Sequence, residues 1–322
     1  MVPDAAKVQR FAADLDALIA PAERIGVAVS GGPDSLALLL LASAARPGKV
    51  EATSVDHALR PGSREESENV GRVCERLGVP HRLLTVQWAE QPRSAIQERG
   101  REERYRLLGR WATERDLSAI ATAHHVEDQA ETLIMRLLRG AGVRGLAAIR
   151  AAASVPGTDV RLLRPLLAWR RSELAEICAA AGIEAAHDPS NLDDRFERVR
   201  VRRALFEADW LDPHSLASSA AHLAEADAAL DWAMRQEWQS AVTNGGAEIA
   251  YRPSDAPLEI RRRIVQAAVA RLASEGDGAN LRGRELDRLL AVLGGGGQAT
   301  IRGVRCAGGE AWRFSKAPSR KV

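Results

Sequence analysis

A chain of 322 residues with 46% apolar side chains is long enough to form two domains, or one large domain with an extension, and to bury a sizeable core. Its formal net charge of +2 says little about partners, and its three cysteines, Cys74, Cys178 and Cys306, form no C-x-x-C pair. That spacing argues against a zinc ribbon, an iron–sulfur site and a disulfide scaffold, and it favours a reducing, cytoplasmic compartment. We see no signal peptide, and the apolar run after Ser35 is about ten residues long, too short to cross a membrane.

The first two hundred residues alternate strand-like apolar runs with helical patterns. The predicted strands are Ile25–Ser30, Val50–Val55, His81–Val86, Leu117–Ala123 and Val160–Leu163. The predicted helices are Asp34–Ala44, Arg64–Leu77, Ser94–Arg115, His125–Arg139 and Arg170–Ala181. Repeated β–α units of this length predict an α/β fold with a doubly wound, mainly parallel Rossmann-like sheet. Ligands bind outside the carboxyl ends of such strands, so we expect the turns after the first, second and fourth strands to face one crevice.

Strand signals fade beyond about residue 205. Residues 215–240, 257–275 and 281–293 have helical patterns, and a β-like segment closes the chain at 299–304 and 311–314. We therefore predict a smaller, mostly helical C-terminal domain. The break in pattern around the Asp-Pro at 212–213 leads us to place the domains at residues 1–208 and 209–322.

The turn after the first strand is Ser30-Gly31-Gly32-Pro33-Asp34-Ser35. A strand, a glycine-rich turn and a helix together direct backbone N–H groups and a positive helix end toward a phosphate. No Lys follows the glycines, so this is not the Walker loop. Asp34 and Ser35 instead suggest a carboxylate for Mg²⁺ and a hydroxyl for a phosphate oxygen. We favour nucleotide binding over a plain turn of small residues.

The helix after the fourth strand carries a polar face at the predicted crevice. His124, His125, Asp128 and Glu131 fall within its start and first two turns. Its predicted core stripe is Ala130, Leu133, Ile134, Leu137 and Leu138. Three roles are open for the polar face: a Mg²⁺ ligand, a general acid or base, or a carboxylate for a cationic substrate. Zinc is less favoured, because carboxylates are hard donors and no cysteine joins them.

Two arginine groups are candidates for contact with phosphate or with an RNA backbone. Arg101 and Arg104 lie beside Tyr105 on the Ser94–Arg115 helix, and a solvated helix face is the alternative there. The buried positions predicted on that helix are Ile96, Gly100, Leu107 and Trp111. Residues 195–203 contain five arginines and one acid. Within that run, Arg198 and Arg202 are our candidates for phosphate contact.

In this order, these motifs resemble the tRNA(Ile)-lysidine synthetase family of the PP-loop ATP pyrophosphatases over roughly residues 20–205. Ser30–Ser35 matches the family loop SGGxDS, and His124–Thr132 matches HHxxDQxET. The other matching segments are Val55–Arg60, Arg101–Tyr105, Arg139–Gly142, Arg164–Leu167 and Asp188–Asn191. Ala58 stands where the family often has Gly. The combination is specific to this branch or its near relatives, and the match becomes diffuse after residue 210.

The resemblance implies a sheet of the adenine nucleotide alpha-hydrolase type and an ATP-dependent carbon–nitrogen ligase. Such an enzyme uses ATP and free L-lysine to convert the wobble cytidine of CAU-anticodon tRNA(Ile) to lysidine. ATP adenylates the cytosine 2-oxygen and releases pyrophosphate. The lysine ε-amine then attacks carbon 2, and AMP leaves. The helical C-terminal domain would contact the tRNA.

On the nucleotide side, the resemblance implies that Ser30–Ser35 holds the ATP phosphates and that Asp34 holds Mg²⁺. Asp56 and His57 would lie beside the adenine.

On the acceptor side, Asp128, helped by Glu131, would bind and orient the lysine amine. His124 or His125 would donate a hydrogen bond to the activated oxygen, which of the two being open. The wobble base would be splayed out of its loop to reach the crevice.

Other functions remain as alternatives. A tRNA thiolase shares the loop, but sulfur transfer needs a cysteine pair or cluster that this spacing does not offer. A free-standing, ammonia-using amide synthetase is also compatible with the loop. A nucleotide sensor or RNA-binding module would not need the carboxylates of Asp34 and Asp128. The oligomeric state is open, a homodimer being one option.

Overall fold

The computed structural model describes residues 3–58, 63–88, 96–186, 195–273, 281 and 283–318. The Asp188–Asn191 motif lies outside these residues, as do positions 59 and 60 of the second motif. The chain divides into a first unit, Met1–Gly140 with Gly145–Ala221, and a second unit, Ala141–Arg144 with His222–Val322. The domain boundary at 208/209 stays a prediction.

A six-stranded sheet organises the described part of the first unit. Its strands are β1 (Ile25–Ala28), β2 (Val50–Asp56), β3 (His81–Thr85), β4 (Ala119–Ala121), β5 (Ala152–Ser154) and β6 (Arg161–Leu163). Their order is β3-β2-β1-β4-β6-β5, and every neighbouring pair is parallel except β5 with β6. The predicted doubly wound, mainly parallel sheet is therefore confirmed, with β5 as an unpredicted edge strand.

Helices follow most of these strands. They are α1 (Ala5–Asp16), α2 (Pro33–Ala45), α3 (Ser63–Leu77), α4 (Ile96–Glu114), α5 (Val126–Leu138), α6 (Val143–Leu146), α7 (Arg171–Ala180) and α8 (Glu197–Glu207). α2 is buried almost all round, because α1 and α7 pack on it as well as the sheet. Within the described ranges, no helix is long and apolar enough to span a membrane.

Two features of the predicted core are wrong. Leu137 and Leu138 are 56% and 72% exposed, because burial on α5 is confined to its first two turns. Ile96 is 45% exposed at the start of α4, whereas the other buried positions predicted on that helix are indeed buried.

The second unit has its own core between helices and an antiparallel sheet. Its elements are α9 (Pro213–Ala241, which begins in the first unit), β7 (Val242–Asn244), β8 (Glu248–Tyr251), α10 (Leu258–Leu272), α11 (Gly283–Gly294), β9 (Gln298–Ile301), β10 (Val304–Ala307) and β11 (Trp312–Lys316). The strand order is β7-β8-β11-β10-β9. The three predicted helices and the closing strands are present, and the hairpin β7–β8 was not predicted.

The strand order of the first sheet locates the crevice. The chain leaves β1 for β2 and β3 on one side and returns to β4 on the other side. The sheet therefore has a switch point between β1 and β4, the place where doubly wound sheets bind ligands. α2 and α5 begin directly after these two strands, so their N-termini meet there.

Candidate active site

The turn between β1 and α2 is closed around the Ser35 hydroxyl. Ser35 Oγ accepts a hydrogen bond from the Ser30 backbone N–H at 3.1 Å and donates one to the Gly32 carbonyl at 2.9 Å. Gly31 has a φ of +89°, a conformation that favours glycine. No side chain caps the N-terminus of α2, which leaves first-turn N–H groups for an anion. The serine thus shapes the loop, and backbone N–H groups at the start of α2 are the donors open to an anion.

Asp34 carries an unsatisfied carboxylate oxygen into this site. Its Oδ1 is buried and has no hydrogen-bond partner, while its Oδ2 lies 3.6 Å from His125 Nε2. Mg²⁺ takes one or two carboxylates and completes its shell with waters and substrate phosphates. Among the described residues no group of three or more His, Cys, Asp or Glu is arranged to hold a metal alone. One free carboxylate oxygen beside an uncapped helix N-terminus is compatible in its chemistry with a Mg²⁺ ion that would arrive with a nucleotide.

His125 lies among three carboxylates at the N-terminus of α5. Its Nδ1–H donates to Glu127 Oε2 at 2.8 Å, and its Nε2 is 3.6 Å from both Asp34 Oδ2 and Asp128 Oδ2. Burial alone would lower the pKa of this histidine, but its contact with Asp34, its hydrogen bond to Glu127 and the neighbouring negative charges raise it to about 10. His125 is therefore a cation that holds the loop after β1 close to α5.

The adjacent His124 has the opposite character. Its Nδ1 is 3.0 Å from Thr122 Oγ1. Burial lowers the pKa of His124 to about 3, and the charges of Arg164, Arg104 and Arg198 add to that effect while Asp128 opposes it. This histidine is therefore neutral near pH 7 and can donate or accept a hydrogen bond without carrying charge.

Two arginines of α8 bind the carboxylates of α5. Arg198 contacts Asp128 Oδ1 at 2.9 Å and Glu131 Oε2 at 2.6 Å, and Arg202 Nε contacts Glu131 Oε1 at 2.6 Å. Glu131 is only 1% exposed, so both of its oxygens are used inside the protein. His125 and Arg198 hold the pKa of Asp128 below its usual range against the effect of burial. The predicted lysine-binding acids and phosphate-binding arginines thus form one ion network.

A second group of predicted residues lies along α4. The guanidinium carbons of Arg101 and Arg104 are 5.0 and 5.3 Å from the centre of the Tyr105 ring. No carboxylate of the described residues pairs with either arginine. Burial lowers the pKa of Arg104, as expected for a cation without an acidic partner. This side of the crevice is therefore positive and suits an anion.

Arg164 joins this basic side. From the sequence we named it only within the Arg164–Leu167 segment of the family resemblance and gave it no role. It is 8% exposed at the end of β6, its Nε has no hydrogen-bond partner, and its Nη1 donates to the Arg150 carbonyl at 2.6 Å. Its charge acts on His124, as does that of Arg104. Two signals were available: the Arg164–Leu167 segment that resembles the family, and an arginine directly after a predicted strand and before a proline.

The turn after β2 adds Asp56 and His57. Asp56 Oδ1 accepts a hydrogen bond from the Ala58 N–H at 2.8 Å, so this carboxylate shapes the turn. His57 Nδ1 is buried without a hydrogen-bond partner, and burial together with the Arg104 charge lowers the pKa of the ring. His57 therefore presents a neutral ring beside α4.

These contacts divide the predicted site residues into two groups. Asp34, His125, Asp128, Glu131 and the two α8 arginines form a network from the loop after β1 to α8. The second group contains His57 and the α4 arginines, and the charge of Arg104 links it to His124. The crevice combines backbone donors for an anion, a carboxylate oxygen free for a cation and a basic side formed by Arg101, Arg104 and Arg164. That combination suits activation of an acceptor by a nucleoside triphosphate.

Comparisons with known proteins agree with this description. A family model described as a PP-loop domain matches residues 2–209. The chain is 47% identical over 314 residues to a tRNA(Ile)-lysidine synthase of Novosphingobium aromaticivorans, covering 97% of this chain and 94% of that protein. It is 41% identical over 300 residues to one of Zymomonas mobilis, covering 92% and 90%. A solved structure of the U34-tRNA thiolase NcsA from Methanococcus maripaludis has a similar fold, with a TM-score of 0.55 and 15% identity over 67% of this chain and 78% of that one.

Proposed function

The chain belongs to the tRNA(Ile)-lysidine synthase family of PP-loop proteins, and we propose on this premise that it joins free L-lysine to the wobble cytidine of CAU-anticodon tRNA(Ile). In the first step the cytosine 2-oxygen bonds to the α-phosphorus of ATP, and the α–β phosphoanhydride bond breaks to release pyrophosphate. In the second step the lysine Nε bonds to carbon 2, the carbon–oxygen bond breaks, and AMP leaves. The amine loses a proton in that step.

The nucleotide belongs at the switch point. The uncapped N-terminus of α2 and the Ser30–Ser35 loop offer N–H groups to the phosphates. The free Oδ1 of Asp34 would hold Mg²⁺ together with phosphate oxygens. The bound ion would offset negative charge on the pyrophosphate. The ring of His57, in the turn after the neighbouring strand, would contact the adenine.

The lysine amine belongs beside Asp128. This carboxylate stays ionised, because His125 and Arg198 lower its pKa, so it attracts an ammonium group and orients it. Glu131 lies behind it and holds Arg198 and Arg202. A direct contact between Glu131 and the lysine stays a prediction, and it requires one of these arginines to release an oxygen.

The acceptor base belongs between His124 and the basic side of the crevice. The neutral imidazole of His124 would donate a hydrogen bond to the cytosine 2-oxygen, with its Nδ1 held by Thr122. Arg101, Arg104 and Arg164 would contact phosphates of the nucleotide or of the tRNA. A base must leave the anticodon stack to reach them. We place the enzyme in the cytoplasm, where its tRNA would be found, and a homodimer stays a prediction.

Sulfur transfer is the less favoured function for this site. Cys74, Cys178 and Cys306 are all buried, and burial raises the pKa of each thiol, to about 12, 11 and 11. A nucleophilic cysteine needs a lowered pKa and access to its substrate.

The observation that carries the proposal is the meeting of Asp34, His125 and Asp128 at the switch point of this family's sheet. The test is ATP-dependent transfer of labelled lysine to a CAU-anticodon tRNA(Ile) transcript, beside a transcript with a changed wobble base. We expect label on the first transcript and none on the second. If neither transcript is labelled and AMP and pyrophosphate are released with some other acceptor, lysidine formation is overturned. The proposal of a nucleotide site would still stand.

A further inference from the structure

Glu127, in the first turn of α5, is not one of the site residues predicted from the sequence. One of its oxygens, Oε2, accepts two hydrogen bonds, from His125 Nδ1–H at 2.8 Å and from the Arg171 backbone N–H at 3.0 Å. Arg171 is the first residue of α7. A single carboxylate oxygen therefore connects the His125 ring to the beginning of another helix.

The start of α7 is a firm anchor for this connection. The Trp169 carbonyl accepts a hydrogen bond from the Val126 N–H at 3.0 Å, which fixes the chain before α7 to the N-terminus of α5. Trp169 is fully buried, and its indole N–H donates to Asp14 Oδ2 at 2.8 Å. The Arg10 guanidinium lies 4.1 Å from the centre of its ring. Because α1 holds Trp169 in this way, the second partner of Glu127 is held in place.

This anchor determines which edge of the imidazole faces the crevice. With Nδ1 on Glu127, Nε2 points to Asp34 Oδ2 and Asp128 Oδ2, at 3.6 Å from each. A half-turn of the ring about its Cβ–Cγ bond would put carbon atoms in both nitrogen positions. Both sets of contacts would then be lost.

We propose that Glu127 is a positioning residue that orients His125 and thereby sets the separation of Asp34 and Asp128. This inference rests on the proposed function, in which Asp34 lies on the nucleotide side and Asp128 on the lysine side. Glu127 acts on neither substrate. By orienting His125, it controls the distance between the Asp34 carboxylate and the Asp128 carboxylate. Carboxylates orient ligating and catalytic histidines in the same way.

Glu173 provides a matched control. Its Oε2 accepts a hydrogen bond from the Arg170 N–H at 2.8 Å, and its Oε1 binds Arg10 at 2.7 Å. Like Glu127, it holds a backbone N–H at the start of α7, but it has no contact with His125 within the described part of the chain. Glu173→Ala therefore removes a hydrogen bond at the start of α7 and the ion pair with Arg10, and it leaves the contact between Glu127 and His125 in place.

The experiment measures lysidine formation over a range of ATP concentrations, with lysine and tRNA saturating, by wild type, Glu127→Ala, Glu127→Gln and Glu173→Ala. We expect Glu127→Ala to lower kcat by about 10- to 100-fold, with the KM for ATP within about twofold of wild type. Glu127→Gln keeps one acceptor oxygen and should fall between Glu127→Ala and wild type. Glu173→Ala should keep kcat near the wild-type value. Equal kcat for Glu127→Ala and Glu173→Ala would overturn the proposal.

A second measurement separates this proposal from the proposed function. If the wild-type protein forms no lysidine, the proposed function is contradicted. The role of Glu127 is then tested without activity, by observing the His125 ring with ¹⁵N NMR. We expect its Nδ1 and Nε2 signals to shift in Glu127→Ala and to keep their wild-type positions in Glu173→Ala. Unchanged His125 signals in folded Glu127→Ala or Glu127→Gln protein would overturn the role of Glu127.

Discussion

At the scale of single residues, the two histidines after β4 show how position decides charge. His125 lies among three carboxylates and is a cation, whereas burial, helped by the charges of three arginines, lowers the pKa of His124 and keeps it neutral. Their side chains are chemically identical, and they are neighbours in sequence. The different surroundings give one histidine a bridging role and leave the other available to a polar ligand.

Because the pKa of His124 is lowered in the folded chain, we expect the free energy of unfolding to decrease as the pH falls. Its pKa falls from 6.5 in the unfolded chain to about 3 in the folded one, so only the unfolded chain binds a proton between these values. This contribution to stability is complete above pH 6.5 and is lost as the pH falls toward 3. His124→Gln removes it. Between pH 8 and pH 5, we therefore expect wild type to lose up to about 2 kcal/mol more stability than the variant.

Urea unfolding at the two pH values tests this prediction. His222→Gln changes an exposed histidine on α9 and is the control, since it should track wild type. Equal losses of unfolding free energy in wild type and His124→Gln would show that His124 takes up its proton as readily in the folded chain as in the unfolded one.

Ala58 carries backbone strain beside the candidate site. Its φ is +51°, where a Cβ is unfavourable by roughly 1–2 kcal/mol. Asp56 Oδ1 accepts its N–H and holds the turn in this form. Allowing for the extra chain entropy of glycine, we expect Ala58→Gly to stabilise the protein by about 0.5–1 kcal/mol in thermal unfolding. Ala204→Gly, on an exposed helical position, should destabilise it, and a similar loss in Ala58→Gly would contradict the strain.

At the scale of secondary-structure elements, the approach of α4 to the sheet depends on one glycine. A Cβ on Gly26 of β1 would lie 2.5 Å from an atom of the Trp111 ring, and Trp111 is 1% exposed. The ring has no room to move aside in a packed core. We expect Gly26→Ala to lower the unfolding free energy by about 1–3 kcal/mol.

Gly71→Ala is the matched control for this prediction. A Cβ there would meet only the His81 ring, at an ordinary 3.5 Å, and Gly71 lies within α3. That substitution should stabilise the helix by up to about 1 kcal/mol. Chemical denaturation of both variants gives the comparison, and a neutral Gly26→Ala would show that α4 can shift away from the sheet.

The sequence predicted elements better than the contacts between them. Alternating apolar runs and helical periods located β1 to β4, β6 and the long helices, because local patterns carry those signals. The hairpin β7–β8 was not predicted, although Asn244-Gly245-Gly246 at its turn is a local hairpin signal. Pairing of Arg198 and Arg202 with Glu131, across 67 and 71 residues, has no local signal. The polar residues of the crevice could therefore be predicted from the sequence, but the residues that pair with them could be identified only from the folded structure.

At the scale of the whole molecule, each unit encloses a separate set of buried residues. One hydrophobic cluster surrounds α2 and β1, and another lies between α10, α11 and the antiparallel sheet. In the second unit an ion network reinforces this core. Arg263, only 4% exposed, binds Asp227 and Asp231 at 2.6 Å each and Glu259 at 3.0 Å.

Loss of Asp227 should therefore weaken the second unit more than the first. Asp227→Ala leaves Arg263 buried with fewer partners, and we expect a loss of about 3 kcal/mol in unfolding free energy. Glu248→Ala removes an exposed partner of Arg313 and should lose less than about 1 kcal/mol. Hydrogen exchange resolved by segment locates the effect, because buried amides lose protection where local stability falls. Protection should fall in α10, α11 and β8 to β11 and persist in α2 and α5. Equal losses in both sets would mean that the two cores unfold as one cooperative unit.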